Sequence, residues 1–231
     1  LIVMQFCVTI ANVMFPVYSR LRDDPDGMQK GFLIITRYVA LATVPLSLGI
    51  ALVAEPFVLA FLSEKWIDAI PVMRTIAIYT LFLSLGFNAG DVYKAQGRPG
   101  ILTKLSLARA VVLIPALWWA SAWQRNIQVV GWTHAVVALL GSALNLVVAG
   151  RMIHVSLGAL LKAFAPALVA GAAMTVAVLA VLLPLQGTPA LLQLIVAVAV
   201  GAGAYCGALW WTQRELVQQA GQTLRGALAR R

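Results

Sequence analysis

Long apolar stretches separated by short polar breaks dominate the pattern of residues along this chain. Most stretches approach about 20 residues, the length that an α-helix needs to cross the hydrocarbon core of a bilayer. Helices also satisfy their own backbone hydrogen bonds inside lipid. The pattern therefore predicts seven transmembrane helices, near residues 1–19, 33–54, 71–93, 101–123, 128–150, 163–184 and 189–211.

The break between the second and third stretches contains a further, shorter apolar run. Glu55-Pro56 ends the second stretch, and the six apolar residues 57–62 are too few to span a membrane. Trp66 follows closely, and tryptophan is enriched at the depth of the lipid headgroups. We expect an interfacial turn of helix at this point.

Composition favours a membrane protein over a soluble domain. Hydrophobic residues make up 61% of the chain, charged residues make up 11%, and the mean hydropathy is +0.90. An ordinary globular domain has about 45–50% apolar and about 25% charged residues. One core of this size cannot bury so much apolar surface. The expected fold class is therefore all-α, a polytopic membrane protein.

The net charge of +9 is distributed unevenly between the two sets of alternating loops. One set and the C-terminal tail hold thirteen Lys and Arg residues, and the opposite loops hold three. The positive-inside rule places the richer set in the cytoplasm, which predicts a multi-pass inner-membrane protein with a cytoplasmic C-terminus. The positive charge thus indicates topology and contact with anionic membrane lipids, not nucleic-acid binding.

Both ends of the chain suggest further features. The chain begins at Leu1 within an apolar stretch, and this stretch lacks the basic start and the small-residue cleavage site of a signal peptide. We expect a fragment whose N-terminal half, with the upstream spans, is missing. Apolar residues recur at helical spacing within residues 213–231, which predicts either a cytoplasmic basic amphipathic tail on the membrane surface or a frayed polar tail.

Polar side chains inside the apolar spans are candidates for function, because placing them in lipid is costly. The third span carries four at spacings of four, four and three, which places them on one helical face: Thr80, Ser84, Asn88 and Asp91. Weaker stripes follow on the second and fifth spans: Thr36, Thr43 and Ser47, then His134, Ser142 and Asn145. Three stripes indicate a shared water-filled cavity, or else hydrogen bonds between helices.

Individual side chains suggest particular roles. Arg37 and Arg109 lie in the cytoplasmic halves of their spans, where a guanidinium could hold a phosphate in bidentate fashion or extend to the interface. Asp91 could act in a cavity or be neutralised by Lys94. His134 could couple protons, because imidazole changes charge near neutral pH, or simply bond a neighbour. The cavity candidates are Arg37, Arg109, Asn88, Asp91, His134 and Asn145.

The sequence contains no recognisable catalytic or metal-binding motif. Cys7 and Cys206 lie in apolar runs without CxxC or Cys/His spacing. The motifs of serine hydrolases, zinc proteases and phosphate-binding loops are also missing. We therefore expect no metal, no cofactor and no enzymatic activity.

Three segments, in this order, resemble the polysaccharide and oligosaccharide flippases of the multidrug/oligosaccharidyl-lipid/polysaccharide (MOP) exporter superfamily. Residues 14–24, MFPVYSRLRDD, end a span in a turn that contains proline and is first basic, then acidic. Residues 61–71, FLSEKWIDAIP, are similar to the family's outer turn FGxKWxxAxP, with Leu62-Ser63 in place of the usual Phe-Gly. Residues 94–98, KAQGR, are similar to its cytoplasmic turn AxGR.

The resemblance covers roughly the whole chain and implies the C-terminal half of such a flippase, one lobe of a two-lobe transporter around a cationic cavity. It implies movement of undecaprenyl-diphosphate-linked oligosaccharide repeat units by alternating access, for exopolysaccharide or O-antigen-like export. It carries over no substrate-binding residue. Three alternatives stay open: a cation-coupled multidrug exporter of the same superfamily, a membrane-embedded polysaccharide polymerase or glycosyltransferase, and a helical scaffold that transports nothing.

Overall fold

A computed structural model describes residues 2–212 as a bundle of α-helices joined by short loops. The residues predicted as an amphipathic tail, 213–231, lie outside this range. The helices are α1 Ile2–Arg20, α2 Pro25–Phe61, α3 Ala69–Leu85, α4 Ala89–Ala95, α5 Gly100–Ala122, α6 Ile127–Met152, α7 Leu157–Leu182 and α8 Ala190–Thr212, with a short 3-10 turn at Glu64–Trp66.

Six stretches of helix within residues 2–212 are long and apolar enough to cross a membrane, with α3 and α4 counted as one stretch. They overlap the second to seventh predicted spans. Helix α1, with 19 residues, covers the first predicted span and is not among the six. The predicted class, an all-α polytopic membrane protein, is confirmed.

Helix α2 is much longer than the predicted second span. It continues through Pro45 and Pro56 for 37 residues, which at about 1.5 Å per residue is roughly 55 Å. The expected turn of helix at residues 57–62 is helical except for its last residue, but it continues α2 instead of forming a separate turn. Ala54 and Val58 are fully buried against Ile70 of α3, and this packing holds the helix together past Pro56.

Polar side chains fix where three helices begin. Asp24 accepts a hydrogen bond at its Oδ1 from the backbone N–H of Gly27 at 2.9 Å, and Pro25 occupies the first helical position of α2. Asn126 and Ser156 cap α6 and α7 in the same way, each accepting a bond from a backbone N–H of the first turn. These caps place the loops at the ends of the spans.

The other helices are arranged around α2. Helices α3 and α6 form one pair, in which α3 contacts α2. Helices α7 and α8 form a second pair, and both of them contact α2. The α1 helix contacts α2 and α4, and its Tyr18 is fully buried with Phe32 and Tyr93 in the largest apolar cluster. A smaller cluster around Met174 and Tyr205 joins α2 to the second pair.

Helix α5 lies at the edge of the described bundle, where it packs mainly on α6. Ala120 is its one buried residue, and large apolar side chains cover the rest of its surface: Leu107 is 65% exposed and Ile114 is 68% exposed. A helix of this kind suits contact with lipid or with another part of the same protein.

Loops with many basic residues lie together at one end of the bundle. A Cβ atom placed on Gly97, between α4 and α5, would be 3.5 Å from Nη2 of Arg22, between α1 and α2. At the other end, Arg74 Nη2 lies 3.0 Å from Glu55 Oε2. We refer to these as the basic end and the opposite end.

Candidate functional site

The membrane-spanning stretch from Ala69 to Ala95 is interrupted at Gly86-Phe87-Asn88, which separates α3 from α4. Gly86 lies so close to α6 that an added Cβ would be 2.7 Å from Cα of Ser142, so the backbones approach where only glycine fits. Asn88 donates from Nδ2 to the hydroxyl of Tyr18 at 2.9 Å, which ties the interruption to α1. Helix α4 then begins beside a cavity.

This cavity has a volume of about 370 Å³ and lies between α1, α3, α4, α5 and α6. Its polar lining residues come from four of these helices: Asn12, Asp91, Lys94, Ser106, Arg109, Ser142 and Asn145. Leucine, valine, alanine, phenylalanine and glycine residues form the remaining walls. We call it the polar cavity.

Positively charged residues outnumber negatively charged residues in the lining of the polar cavity. Lys94 Nζ lies 3.1 Å from Asp91 Oδ1; the Lys94 side chain is 46% exposed and the Asp91 side chain is 6% exposed. Arg109 adds a second cation from α5. Two cations therefore face one carboxylate, and the cavity is positively charged overall.

Gly141 on α6 lies against the side chain of Arg109. A Cβ at Gly141 would lie 3.3 Å from Cδ of Arg109, closer than nearly all real contacts of this kind. The hydrocarbon part of the arginine thus rests on α6, and Arg109 lines the polar cavity together with Asn145. A larger residue at position 141 would displace this side chain.

Two oxygen atoms of lining residues are buried without a hydrogen-bond partner among the described residues: Asp91 Oδ2 and Asn145 Oδ1. The Asn145 Nδ2 group donates to the carbonyl of Gly141 at 2.9 Å, and the hydroxyl of Tyr93 donates to the carbonyl of Asn145 at 2.8 Å. The bond from Tyr93 joins α4 to α6, and the bond from Asn145 to Gly141 lies within α6. Both oxygens are covered by protein atoms, whereas Lys94 and Arg109 supply donors to the cavity lining.

Three of the six candidates predicted from the sequence line the polar cavity: Asp91, Arg109 and Asn145. Asn88 is buried nearby through its bond to Tyr18. Arg37 lies on α2, outside the cavity lining. His134 also lies outside this lining and stacks on Tyr79 of α3, with ring centroids 4.2 Å apart.

The three polar stripes do not all line the polar cavity, and Ser47 and Thr80 line a separate cavity between α1, α2 and α3. The hydroxyl residues of the α2 stripe are packed inside the bundle and do not line the polar cavity: Thr36, Thr43 and Ser47. On α3, Thr80 and Ser84 donate to carbonyl groups of their own helix, those of Ile76 and Leu81. A hydroxyl bonded to its own backbone can face a packed neighbour, so spacing alone does not identify a cavity.

Comparison with known proteins finds a family and relatives whose names refer to polysaccharide biosynthesis. The family described as "Polysaccharide biosynthesis protein" matches residues 1–71, which include two of the three segments that carry the resemblance. The "Teichuronic acid biosynthesis protein TuaB" of Bacillus subtilis is 24% identical over 197 residues, 85% of this chain. The "Lipopolysaccharide biosynthesis protein WzxC" of Escherichia coli is 29% identical over 108 residues, 47% of this chain. The chain is therefore similar to proteins of polysaccharide biosynthesis.

A further relative in this comparison is the "Succinoglycan biosynthesis transport protein ExoT" of Rhizobium meliloti, 23% identical over 108 residues, which are 47% of this chain and 22% of ExoT. The matched part of the chain spans 41% of the length of TuaB and 22% of the length of WzxC. No solved structure matches the chain significantly. The comparisons and the apolar helices together identify a multi-pass membrane protein.

Sequence reasoning missed several residues that line the polar cavity. Asn12 is a polar residue inside the first apolar stretch, which is the signal that singled out Asn88 and Asp91. Ser106 precedes Arg109 by three residues and so shares its helical face. Both could have been found by applying the same rule to every span.

Proposed function

We propose that the full-length protein containing this chain flips undecaprenyl-diphosphate-linked oligosaccharide across the inner membrane for polysaccharide export. The observation that carries this proposal is the net positive charge of the polar cavity within membrane-spanning helices. A diphosphate that leaves water needs cations, because the low dielectric strengthens charge interactions. Arg109 offers planar paired donors to a phosphate, and Lys94 offers a point charge.

The size of the polar cavity fits part of such a substrate. Small-molecule sites in proteins have volumes of roughly 300–1,000 Å³. At about 370 Å³, the cavity matches a phosphate group or one sugar ring rather than a whole oligosaccharide. The rest of the substrate then needs space completed by the N-terminal half, which we propose as the partner of this chain.

The position of the cavity suits a substrate that is loaded from the cytoplasm. Lys94 lies in the last turn of α4, next to the loop with Arg98, at the basic end of the bundle. By the positive-inside rule we assign this end to the cytoplasm. Lipid-linked precursors made on that side would meet the polar cavity first.

The protein acts on its substrate by moving it, in this proposal, rather than by making or breaking bonds. One relative, ExoT, is named as a transport protein. The charged groups of the polar cavity already pair or face one another across helices, an arrangement that suits binding. A polysaccharide polymerase or glycosyltransferase is therefore the weaker reading.

A second candidate is a cation-coupled multidrug exporter of the same superfamily. Asp91 lines the polar cavity, and a carboxylate is an oxygen ligand of the kind that hard cations prefer. Basic groups outnumber the carboxylate, however, so the cavity favours an anion. Efflux of cationic drugs driven by an ion gradient, without lipid movement, would establish this alternative.

The flippase proposal is tested by transport in inverted membrane vesicles from cells that express the full-length protein. A labelled undecaprenyl-diphosphate-linked repeat unit is followed with wild type, Arg109→Gln and the matched control Lys104→Gln. Lys104 is an exposed cation on the same helix outside the polar cavity. We expect Arg109→Gln to lower the transport rate about tenfold or more, since a charge-assisted hydrogen bond contributes about 1.5–3 kcal/mol.

The transport experiment needs two further controls. Arg37→Ala should keep most of the transport rate, because Arg37 lies outside the polar cavity lining. All variants must reach the membrane in equal amounts. Equal losses in Arg109→Gln and Lys104→Gln would refute a role for the polar cavity, and failure of the wild type to move the lipid would refute the flippase.

A further inference from the structure

A second, larger cavity lies near the opposite end of the bundle. Its volume is about 650 Å³, and it forms a cleft between the α3/α6 pair and the α7/α8 pair, with α2 as its floor. The two pairs are held together chiefly through α2, so the space between them is open. We call it the outer cleft, because the positive-inside rule puts this end away from the cytoplasm.

The inner walls of the outer cleft are apolar. Leucine and isoleucine side chains from α2, α3 and α7 supply much of this surface: Leu48, Leu52, Ile78, Leu179 and Leu182. On α7 the lining residues run from Thr175 to Leu182, which is about 10 Å at 1.5 Å per residue. The cleft therefore extends into the depth at which lipid chains lie.

The mouth of the outer cleft is charged. Arg74 Nη2 lies 3.0 Å from Glu55 Oε2, and their side chains are 45% and 56% exposed. Trp132, half exposed, and Gln186 line the same cleft. Tryptophan at the mouth marks headgroup depth, so apolar walls and a charged mouth match the two parts of a membrane lipid.

The ion pair at the mouth also selects among headgroups. A purely anionic headgroup would attract Arg74 but meet the carboxylate of Glu55 beside it. A zwitterionic headgroup with an ammonium and a phosphate matches both charges. Capacity remains for this contact, because a guanidinium has five N–H donors and a carboxylate accepts about four bonds, while the pair uses one of each.

We propose that the outer cleft binds a zwitterionic phospholipid of the outer leaflet, with its phosphate on Arg74, its ammonium on Glu55 and an acyl chain between α3 and α7. The site is separate from the polar cavity, and its ligand is not the anionic lipid-linked substrate. A lipid wedged between the two helix pairs would stabilise their separation at this end of the bundle.

The proposal is tested by native mass spectrometry of the purified full-length protein, equilibrated with equal amounts of phosphatidylethanolamine and phosphatidylglycerol. We expect wild type to retain one phosphatidylethanolamine with about tenfold preference. The double variant Glu55→Gln/Arg74→Gln should lose this preference. Glu64→Gln/Lys65→Gln removes the same charges from an exposed turn outside the cleft and should keep it.

A second variant tests whether the cleft itself binds lipid, without removing the ion pair between Arg74 and Glu55. Ala51→Phe adds a ring from the floor of the outer cleft while leaving both charges in place. It should also lower phosphatidylethanolamine retention about tenfold, and equal thermal unfolding midpoints would show that the bundle is intact. Equal retention of both lipids by wild type, or of phosphatidylethanolamine by Glu55→Gln/Arg74→Gln, overturns the proposal. Wild type without bound lipid also overturns it, since upstream helices would then fill the cleft.

Discussion

A single hydroxyl group compensates for a proline inside the central helix. Pro45 has no N–H group, so the carbonyl of Leu41, four residues earlier, loses its partner within α2. The hydroxyl of Tyr205 on α8 donates to this carbonyl at 2.7 Å. The backbone defect of α2 is thereby used to attach the last helix of the described bundle.

Removing that hydroxyl should weaken the bundle. We expect Tyr205→Phe to lower the free energy of unfolding by about 1 kcal/mol, because it leaves a buried carbonyl without a donor and hydrogen bonds between membrane helices average about 0.6 kcal/mol. The measurement is denaturant unfolding of the purified full-length protein in mixed micelles, followed by tryptophan fluorescence.

A double-mutant cycle provides the control for this prediction. Pro45→Ala restores an N–H group that can bond the carbonyl of Leu41 within α2. Tyr205→Phe should therefore cost less in the Pro45→Ala background than in wild type. Equal costs in both backgrounds would contradict the proposed role of the Tyr205 hydroxyl.

At the level of residues, the sequence predicted part of the site and could not predict the rest. Asp91, Arg109 and Asn145 stood out because polar groups in apolar spans are rare, and all three line the polar cavity. Arg37 stood out for the same reason and lies elsewhere. Which arginine faces a cavity depends on the neighbouring helix, here on Gly141, whose missing side chain leaves space for Arg109.

Among the helices, the interruption between α3 and α4 shapes the polar cavity most directly. Gly86 and Phe87, both in the interruption, line the cavity, and α4 supplies Asp91 and Lys94. The close approach of Gly86 to the backbone of Ser142 fixes where the interruption lies against α6. The geometry of the site is thus sensitive to one added methyl group.

We expect Gly86→Ala to lower the free energy of unfolding by about 1–3 kcal/mol, the usual range for an overfilled interior. The new Cβ would lie 2.7 Å from backbone and side-chain carbons of Ser142, so a helix must shift. The same denaturant unfolding measures the effect. Gly49→Ala is the matched control, because nothing lies within 4 Å of its added Cβ and alanine favours helix. An equally destabilised control would refute the steric explanation.

The apolar pattern predicted the main helices but not their ends or interruptions. Apolar stretches long enough to span a membrane predicted seven helices, because backbone groups inside lipid must form their hydrogen bonds within a helix. Pro56 and the short run after it suggested a break, yet α2 continues because Ala54 and Val58 are buried against Ile70. Such contacts join residues far apart in sequence, so no local pattern reveals them.

On the scale of the whole molecule, α2 organises two sites at different heights. The polar cavity lies between helices near the basic end, and the outer cleft lies between helix pairs near the opposite end. The first is positively charged and enclosed by polar groups from four helices; the second is apolar with a neutral ion pair at its mouth. Under the two proposals, the first site holds an anionic substrate and the second holds an ordinary membrane lipid.

The functional argument depends on which end faces the cytoplasm, and labelling of single cysteines tests this orientation. With native cysteines replaced, Asp23→Cys marks the exposed loop after α1 and Lys65→Cys marks the exposed turn after α2. A membrane-impermeant maleimide should label Lys65→Cys in intact spheroplasts and Asp23→Cys only after the membrane is opened, because basic loops are retained in the cytoplasm. The reverse pattern would place the polar cavity towards the outer leaflet, where a substrate made in the cytoplasm would leave rather than enter.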